Sequence, residues 1–441
     1  MLLTNSNALQ SALLYLDPGT GSLLFSVIVG IASTAYFVVR DLIYRVRTHL
    51  HMMLSPAAVA RTRTVQHAVV FYSEGSQYRS TFAPLLDGMQ GRGLPCLYLS
   101  SDASDPLLEL GRSGMSSVQT ECIGEGHLAW GRLRTLRAKV VCMTTPGLDV
   151  MQIRRSPHVE HYMHLVHSPT DKSFNRPYSF DFFDSVVING PHQARVIRHL
   201  EQLRSRKTKD LYQLGCIYYD SLLPAYQAAV TLRDASQGAS ETRVLLAPTW
   251  GKNGLLSRYG SALIRAMVDV GLNVTLRPHP QSRKSEAELL SALQRDTSGM
   301  VACYWDFSAD PIAAMANSDI LLSDISGIVF DYAFLTGRPV LTMDFTVDKR
   351  GFEAMDLPFE PWEIACLDVI GRRIGMADIG NLQAIVLEEC QSTTRAEQIA
   401  RLRGEFVCNF GRASAPVVER IAQLLEPGAQ TSKAVTSVTA L

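Results

Sequence analysis

The chain has 441 residues, with 42 Lys+Arg against 42 Asp+Glu, so it offers no basic field to recruit nucleic acid. At 46% hydrophobic and 19% charged it is globular rather than disordered, and it is too long for one core, which suggests two domains. Its eight cysteines lie far apart, with no C-x-x-C pair and no Cys/His metal spacing, the pattern of reduced thiols in a cytosolic compartment.

The N-terminal end differs from the rest. No charge occurs from Pro18 to Val39, and Leu23 to Val39 ("LLFSVIVGIASTAYFVV") is mostly apolar. As a helix that stretch reaches roughly 25 Å, and with Thr20 to Ser22 it approaches the roughly 30 Å hydrocarbon core. Tyr36, Phe37 and Tyr44 fall where headgroups would be, and Arg40, Arg45, Arg47, Arg61 and Arg63 follow, whereas no Lys or Arg precedes the stretch. The expectation is a membrane anchor and juxtamembrane segment over residues 1–60, either spanning the bilayer once or lying in its interface. The charge asymmetry places everything after Arg40 on the cytoplasmic side of the cell inner membrane.

Beyond the anchor, short β-rich runs alternate with helical segments, the pattern of parallel α/β sheets. "VQHAVVFY" (Val65 to Tyr72), "LPCLYLS" (Leu94 to Ser100), "AKVVCM" (Ala138 to Met143), "HYMHLVH" (His161 to His167) and "SVVI" (Ser185 to Ile188) predict strands of a first Rossmann-like domain over 61–232. The polar run Arg233 to Thr242 predicts an inter-domain linker. A second Rossmann-like domain, 243–426, opens with "RVLLAPTW" and continues through "NVTLRPHP", "DILLSDISG" and "PVLTMDF". Residues 427–441 show no period and predict a disordered tail.

In open α/β sheets ligands bind outside the carboxyl ends of the strands, so polar residues just past a strand are the candidates. His167 ends its predicted strand and is either a general base at neutral pH or a surface member of a His-rich run, and Lys172 follows as a cation able to meet a phosphate on the acceptor side. In "APTWGKNG" (Ala247 to Gly254), Thr249 and Lys252 are natural phosphate contacts, although a plain strand exit explains the stretch as well. "LRPHPQSRK" (Leu276 to Lys284) fixes His279 between Pro278 and Pro280 beside Arg277, Arg283 and Lys284. A pinned imidazole among cations suits a diphosphate whose leaving oxygen gains charge; the plainer reading is a structural proline turn.

In "SDILLSDISGIVFDYAFLTGRPV" (Ser318 to Val340) a short strand gives way at Ser323-Asp324 to a helix opening at Ser326-Gly327. Free N–H groups there suit phosphate, with Asp331 one turn on for a ribose or acceptor hydroxyl; a simple N-cap is the alternative. Histidines at i, i+3 and i+6 fit neither a strand face nor a helical pair of ligands, and D-x-D is missing from the sequence, so no metal and no cofactor are expected.

Taken in order, the strand-end histidine, "APTW", "RPHP" and "SDILLSDISGIVFD" resemble the CDP-glycerol glycerophosphotransferases that build teichoic-acid-like polymers. The resemblance covers about residues 160 to 345. It implies two Rossmann-like domains facing a cleft (the GT-B fold) at the cytoplasmic membrane surface. It implies His167 as the base, His279 and Arg277 at the diphosphate, and Ser326 and Asp331 holding donor groups. The implied activity moves glycerol phosphate, or a similar polyol phosphate, from a CDP-linked donor to a hydroxyl of a lipid-linked or polymeric glycan, releasing CMP. Ser168 and Gly327 depart from the family pattern. They leave open a nucleotide-sugar glycosyltransferase of the same fold, or a membrane-tethered binding protein without turnover.

Overall fold

The computed structural model describes residues 66–111, 117–236, 242–308, 310–343, 345 and 347–426, besides Val29, Ala35, Tyr36 and Val39. Otherwise the predicted anchor and tail lie outside the described residues, among which no helix is long and apolar enough to cross a membrane.

Thirteen strands form two sheets. The first contains β1 (His67–Ser73), β2 (Cys96–Ser100), β3 (Val118–Cys122), β4 (Ala138–Met143), β5 (Val159–Leu165), β6 (Ser185–Ile188) and β7 (Asp210–Gln213), in the order β3-β2-β1-β4-β5-β6-β7. The second contains β8 (Arg243–Leu246), β9 (Asn273–Leu276), β10 (Cys303–Trp305), β11 (Ile320–Ser323), β12 (Val340–Met343) and β13 (Gly371–Ile374), in the order β10-β9-β8-β11-β12-β13. All pairings are parallel. Apolar runs such as "SVVI" and "ILLS" are buried at every position because helices cover both faces of a parallel sheet. In each sheet the order reverses beside the first strand, between β1 and β4 and between β8 and β11, and such a reversal opens a crevice at the carboxyl ends.

Two findings revise the expected domain limits. Residues Arg233 to Ser236 are not linker: they end the helix Tyr218–Ser236, anchored where the Arg233 guanidinium donates to Ala316 O (2.8 Å) and Asp319 Oδ1 (2.8 Å). The last helix, Ser414–Leu425, does not belong with the second domain. Val417, Val418 and Ile421 join Val69, Phe71, Phe82 and Leu85 in the first domain's core. The chain therefore crosses between the domains twice. At the return crossing a Cβ on Gly190 would stand 2.3 Å from Phe406 O, so only glycine admits the segment there.

Candidate active site

The loop after β5 is held by Asn189, just past β6, and by side chains of the helix Pro191–Leu203, which Pro191 starts with a φ already suited to a first turn. Gln193 Nε2 donates to Thr170 O (2.7 Å), Asn189 Nδ2 to Ser168 O (2.6 Å), and His192 Nε2 to Pro169 O (2.7 Å). This grip fixes His167, whose ring meets Tyr78 edge-on at 5.0 Å, and Lys172, which adopts a positive φ of 65°. Burial first, then the Lys172 charge and His164, hold the His167 imidazole well below its usual value near 6.5, so the ring is neutral at pH 7. Lys172 Nζ donates to Ser168 Oγ at 2.6 Å.

Groups from both domains surround Lys172. Burial lowers its pKa, while the charges of Glu363, Cys216, Asp331 and Asp171 pull it back up. Asp171 accepts the backbone N–H of Trp362 across the domain boundary (2.7 Å). Glu363 is pushed well above the usual carboxylate range by burial first and then by the neighbouring Asp171. Asp331 accepts from Tyr218 Oη and Tyr219 Oη, both at 2.9 Å, and burial raises its pKa to about 6 against the pull of the two tyrosines and Lys172.

On the second domain a cavity of about 900 Å³ opens at the β8/β11 crevice, lined by Thr249, Asn253, Arg258, Asp324 and Ile325, by Phe174 of the first domain, and by residues of the segment after β12. The Asp324 carboxylate spans the crevice, accepting Thr249 N–H (2.7 Å) on one oxygen and Leu255 N–H (3.1 Å) on the other. The loop between those amides turns tightly: a Cβ on Gly254 would lie 2.6 Å from Thr249 O. Gln281 N–H donates to His279 Nδ1 (3.0 Å), so the neutral ring carries its proton on Nε2 and can donate from there, beside Trp250 (centroids 6.5 Å apart).

The expected site residues thus divide. Thr249 and Asp324 line the cavity, exposed Lys252 lies close enough to act on Asp348 of the same wall, and Ser326 and Gly327 stand open at the start of the helix Ile328–Thr336. Four expectations need correction. Arg277 does not face a diphosphate: its guanidinium pairs with Asp306 and donates to Ser308 Oγ (3.0 Å) and Ser308 O (2.9 Å). Ser323 is fully buried and donates to Ala247 O (2.6 Å), which ties β11 to the β8 exit. Asp324 spends both oxygens on backbone amides. Asp331 accepts from two tyrosine hydroxyls, one on each carboxylate oxygen, where a ribose or acceptor hydroxyl was expected.

Likewise Arg283 is directed to Phe307 O (3.2 Å). The sequence reading missed Asp171, Tyr218, Tyr219 and Glu363, whose partners lie on the other domain or far along the chain. Among the described residues no group of three or more His, Cys, Asp or Glu could hold a metal ion.

No curated protein matches the chain. Among solved structures it is similar to the wall teichoic acid polymerase TagF (16% identity over 86% of this chain and 97% of that one, TM-score 0.52). It is also similar to TagF soaked with CDPG (14% identity, 86% and 97% covered, TM-score 0.51). UDP-GlcNAc 2-epimerase from Methanocaldococcus jannaschii matches in the same way (12% identity, 81% and 99% covered, TM-score 0.53). At such identities the likeness is one of fold, two Rossmann-like domains of GT-B type. Residues 166–360 match the family model described as CDP-Glycerol:Poly(glycerophosphate) glycerophosphotransferase. The resemblance read from the motifs is borne out over the stretch from Val166 to Glu360, which the family model matches.

Proposed function

We propose that the protein transfers glycerol phosphate from CDP-glycerol to a hydroxyl of a lipid-linked or polymeric glycan acceptor, releasing CMP. One observation carries this reading: the family-matched segment runs from the His167 loop to Glu360, and so contains His167, Lys172, Asp171 and Asp331 together with the walls of the 900 Å³ cavity. The donor occupies that cavity, and the acceptor approaches His167 from the first domain.

In this reading His167, neutral at pH 7, takes the acceptor proton as oxygen attacks the β-phosphate. Its ring is a weak base while the cleft is empty. A diphosphate brought nearby adds negative charge, which raises the imidazole pKa toward that task. His279 Nε2–H and the open N–H groups at Ser326-Gly327 meet the charge that develops on the leaving phosphate. Lys172 supplies a cation close to the transferred group. We further place the reaction at the cytoplasmic face of the inner membrane, a reading supported by the apolar run Leu23 to Val39 and the arginines after it.

The test is to incubate the full chain with CDP-glycerol and a glycerol-phosphate-primed glycan and to follow CMP and acceptor mass together. CMP release with acceptor growth upholds the reading. Turnover of a UDP-sugar without any of CDP-glycerol replaces it by glycosyl transfer, and no turnover of either points to a binding protein.

A further inference from the structure

The segment 345–356 walls the cavity with Phe345, Arg350 and Phe352, yet it is fastened to the opposite domain. Glu353 N–H donates to Asn175 O (2.9 Å), Ala354 N–H donates to Ser173 O (2.8 Å), and the Phe352 ring meets Phe174 edge-on at 5.7 Å. At the centre of this seam the Glu353 carboxylate accepts Ser179 N–H (3.0 Å) and pairs with the Arg204 guanidinium. Arg204 also donates to Asp181 Oδ1 (3.0 Å) and Asp356 Oδ2 (2.9 Å), and it lies 4.4 Å over the Tyr178 ring. The Arg204 and Glu353 side chains expose only 7% and 2% of their surface, so water does not screen the pair.

Arg204 directly follows the helix Pro191–Leu203, whose first turn grips the His167 loop through His192 and Gln193. A 13-residue helix is a rod of about 20 Å. One end therefore sets the loop of the base, and the other end sets a wall of the cavity. Neither Arg204 nor Glu353 belongs to the hydrophobic core of either domain.

We propose that Arg204 and Glu353 are positioning residues for the transfer. Their ion pair staples the segment 345–356 across the domain boundary and presents Phe352 and Arg350 to the nucleotide-diphosphate part of the donor. This deepens the functional reading above and rests on the donor occupying that cavity. Asp348 orients the exposed Arg350 guanidinium from below, donor to acceptor at 2.9 Å (Nε to Oδ1) and 2.6 Å (Nη2 to Oδ2), so the staple governs the aim of a cation already set for an anion.

The full chain is made as wild type, Glu353→Ala, Glu353→Gln and Arg204→Lys, and two quantities are read. The first is amide hydrogen exchange over 345–356 without ligand. The second is kcat and KM for CDP-glycerol with acceptor saturating. For Glu353→Ala the expected result is faster exchange confined to this segment, with KM raised about tenfold and kcat changed less than about threefold, the signature of lost ground-state binding. Glu353→Gln, which still accepts Ser179 N–H, and Arg204→Lys, which keeps the charge without the fork, fall between wild type and Glu353→Ala.

Unchanged exchange in Glu353→Ala overturns the proposal. So does a loss confined to kcat, or faster exchange with KM unmoved. Should Glu353→Ala misfold, the graded response of the two conservative variants decides by the same criteria. If CDP-glycerol gives wild-type cavity segments no protection, the donor reading falls by itself. The staple is then judged on exchange alone, faster exchange upholding it and unchanged exchange overturning it.

Discussion

The two loops that face the cleft are made differently. After β5, the loop Ser168 to Lys172 is gripped from outside by amide and imidazole side chains, and the groups it presents are enclosed, with the pKa values of His167 and Lys172 both lowered by burial. After β8, the loop Thr249 to Leu255 is tied through its backbone amides by two carboxylates, Asp324 from the end of β11 and Glu286, which accepts Gly251 N–H (3.0 Å), and it borders an open cavity. A low-dielectric pocket tunes ionisable side chains, whereas a carboxylate clamp only fixes backbone. The difference fits the proposed roles, proton handling for the first loop and donor holding for the second.

Substitutions can break that division, beginning with the largest effect. His167→Ala should cut transfer by about 10²–10⁴-fold at nearly unchanged melting temperature, measured as CMP release; equal loss of donor binding would blur the contrast. Asp324→Ala leaves two amides without an acceptor. It should cost about 2–4 kcal/mol in denaturant unfolding and weaken CDP-glycerol binding, with less effect on the pH profile of turnover. Asp331 titrates at about 6 in the folded protein against 3.8 when exposed. Between those values the folded state binds the extra proton, so Asp331's contribution to stability falls as pH rises through the window and stays low above it. Compared with Asp331→Asn, the wild type should therefore lose on the order of 2–3 kcal/mol between pH 4 and pH 7, read from paired unfolding curves. Smallest, Gln193→Ala should cost about 1–2 kcal/mol and loosen the His167 loop, seen as faster exchange of its amides.

Much of this was legible in the primary structure, for a physical reason. Parallel strands covered on both faces are short apolar runs, and their carboxyl ends are where function gathers, so His167, Thr249 and Asp324 could be located in advance. Edge strands break that signal. β3 is "VQTEC" and β13 is "GRRI", both carrying polar or charged residues because one side of each lacks a strand neighbour. The role of a residue past a strand end was harder to read than its position. Ser323, Arg277 and Asp331 have side chains of ligand-binding type, and each is consumed by a partner from elsewhere: Ala247, Asp306, and Tyr218 with Tyr219. Asp331 and Tyr218 are separated by 113 positions, and no local pattern encodes such a meeting.

The returning helix Ser414–Leu425 bears on how the molecule is made. Val418 sits against Gly88, where even a Cβ would come within 2.9 Å of it, and Ile421 completes the apolar layer over β1. During synthesis the first domain emerges long before these residues do. One flank of its sheet stays bare until the helix Ser414–Leu425, about 200 positions after the end of β7, has left the ribosome. The nascent protein thus carries a sticky surface throughout synthesis of the second domain, and chaperone demand will be set by the returning helix rather than by the first strands.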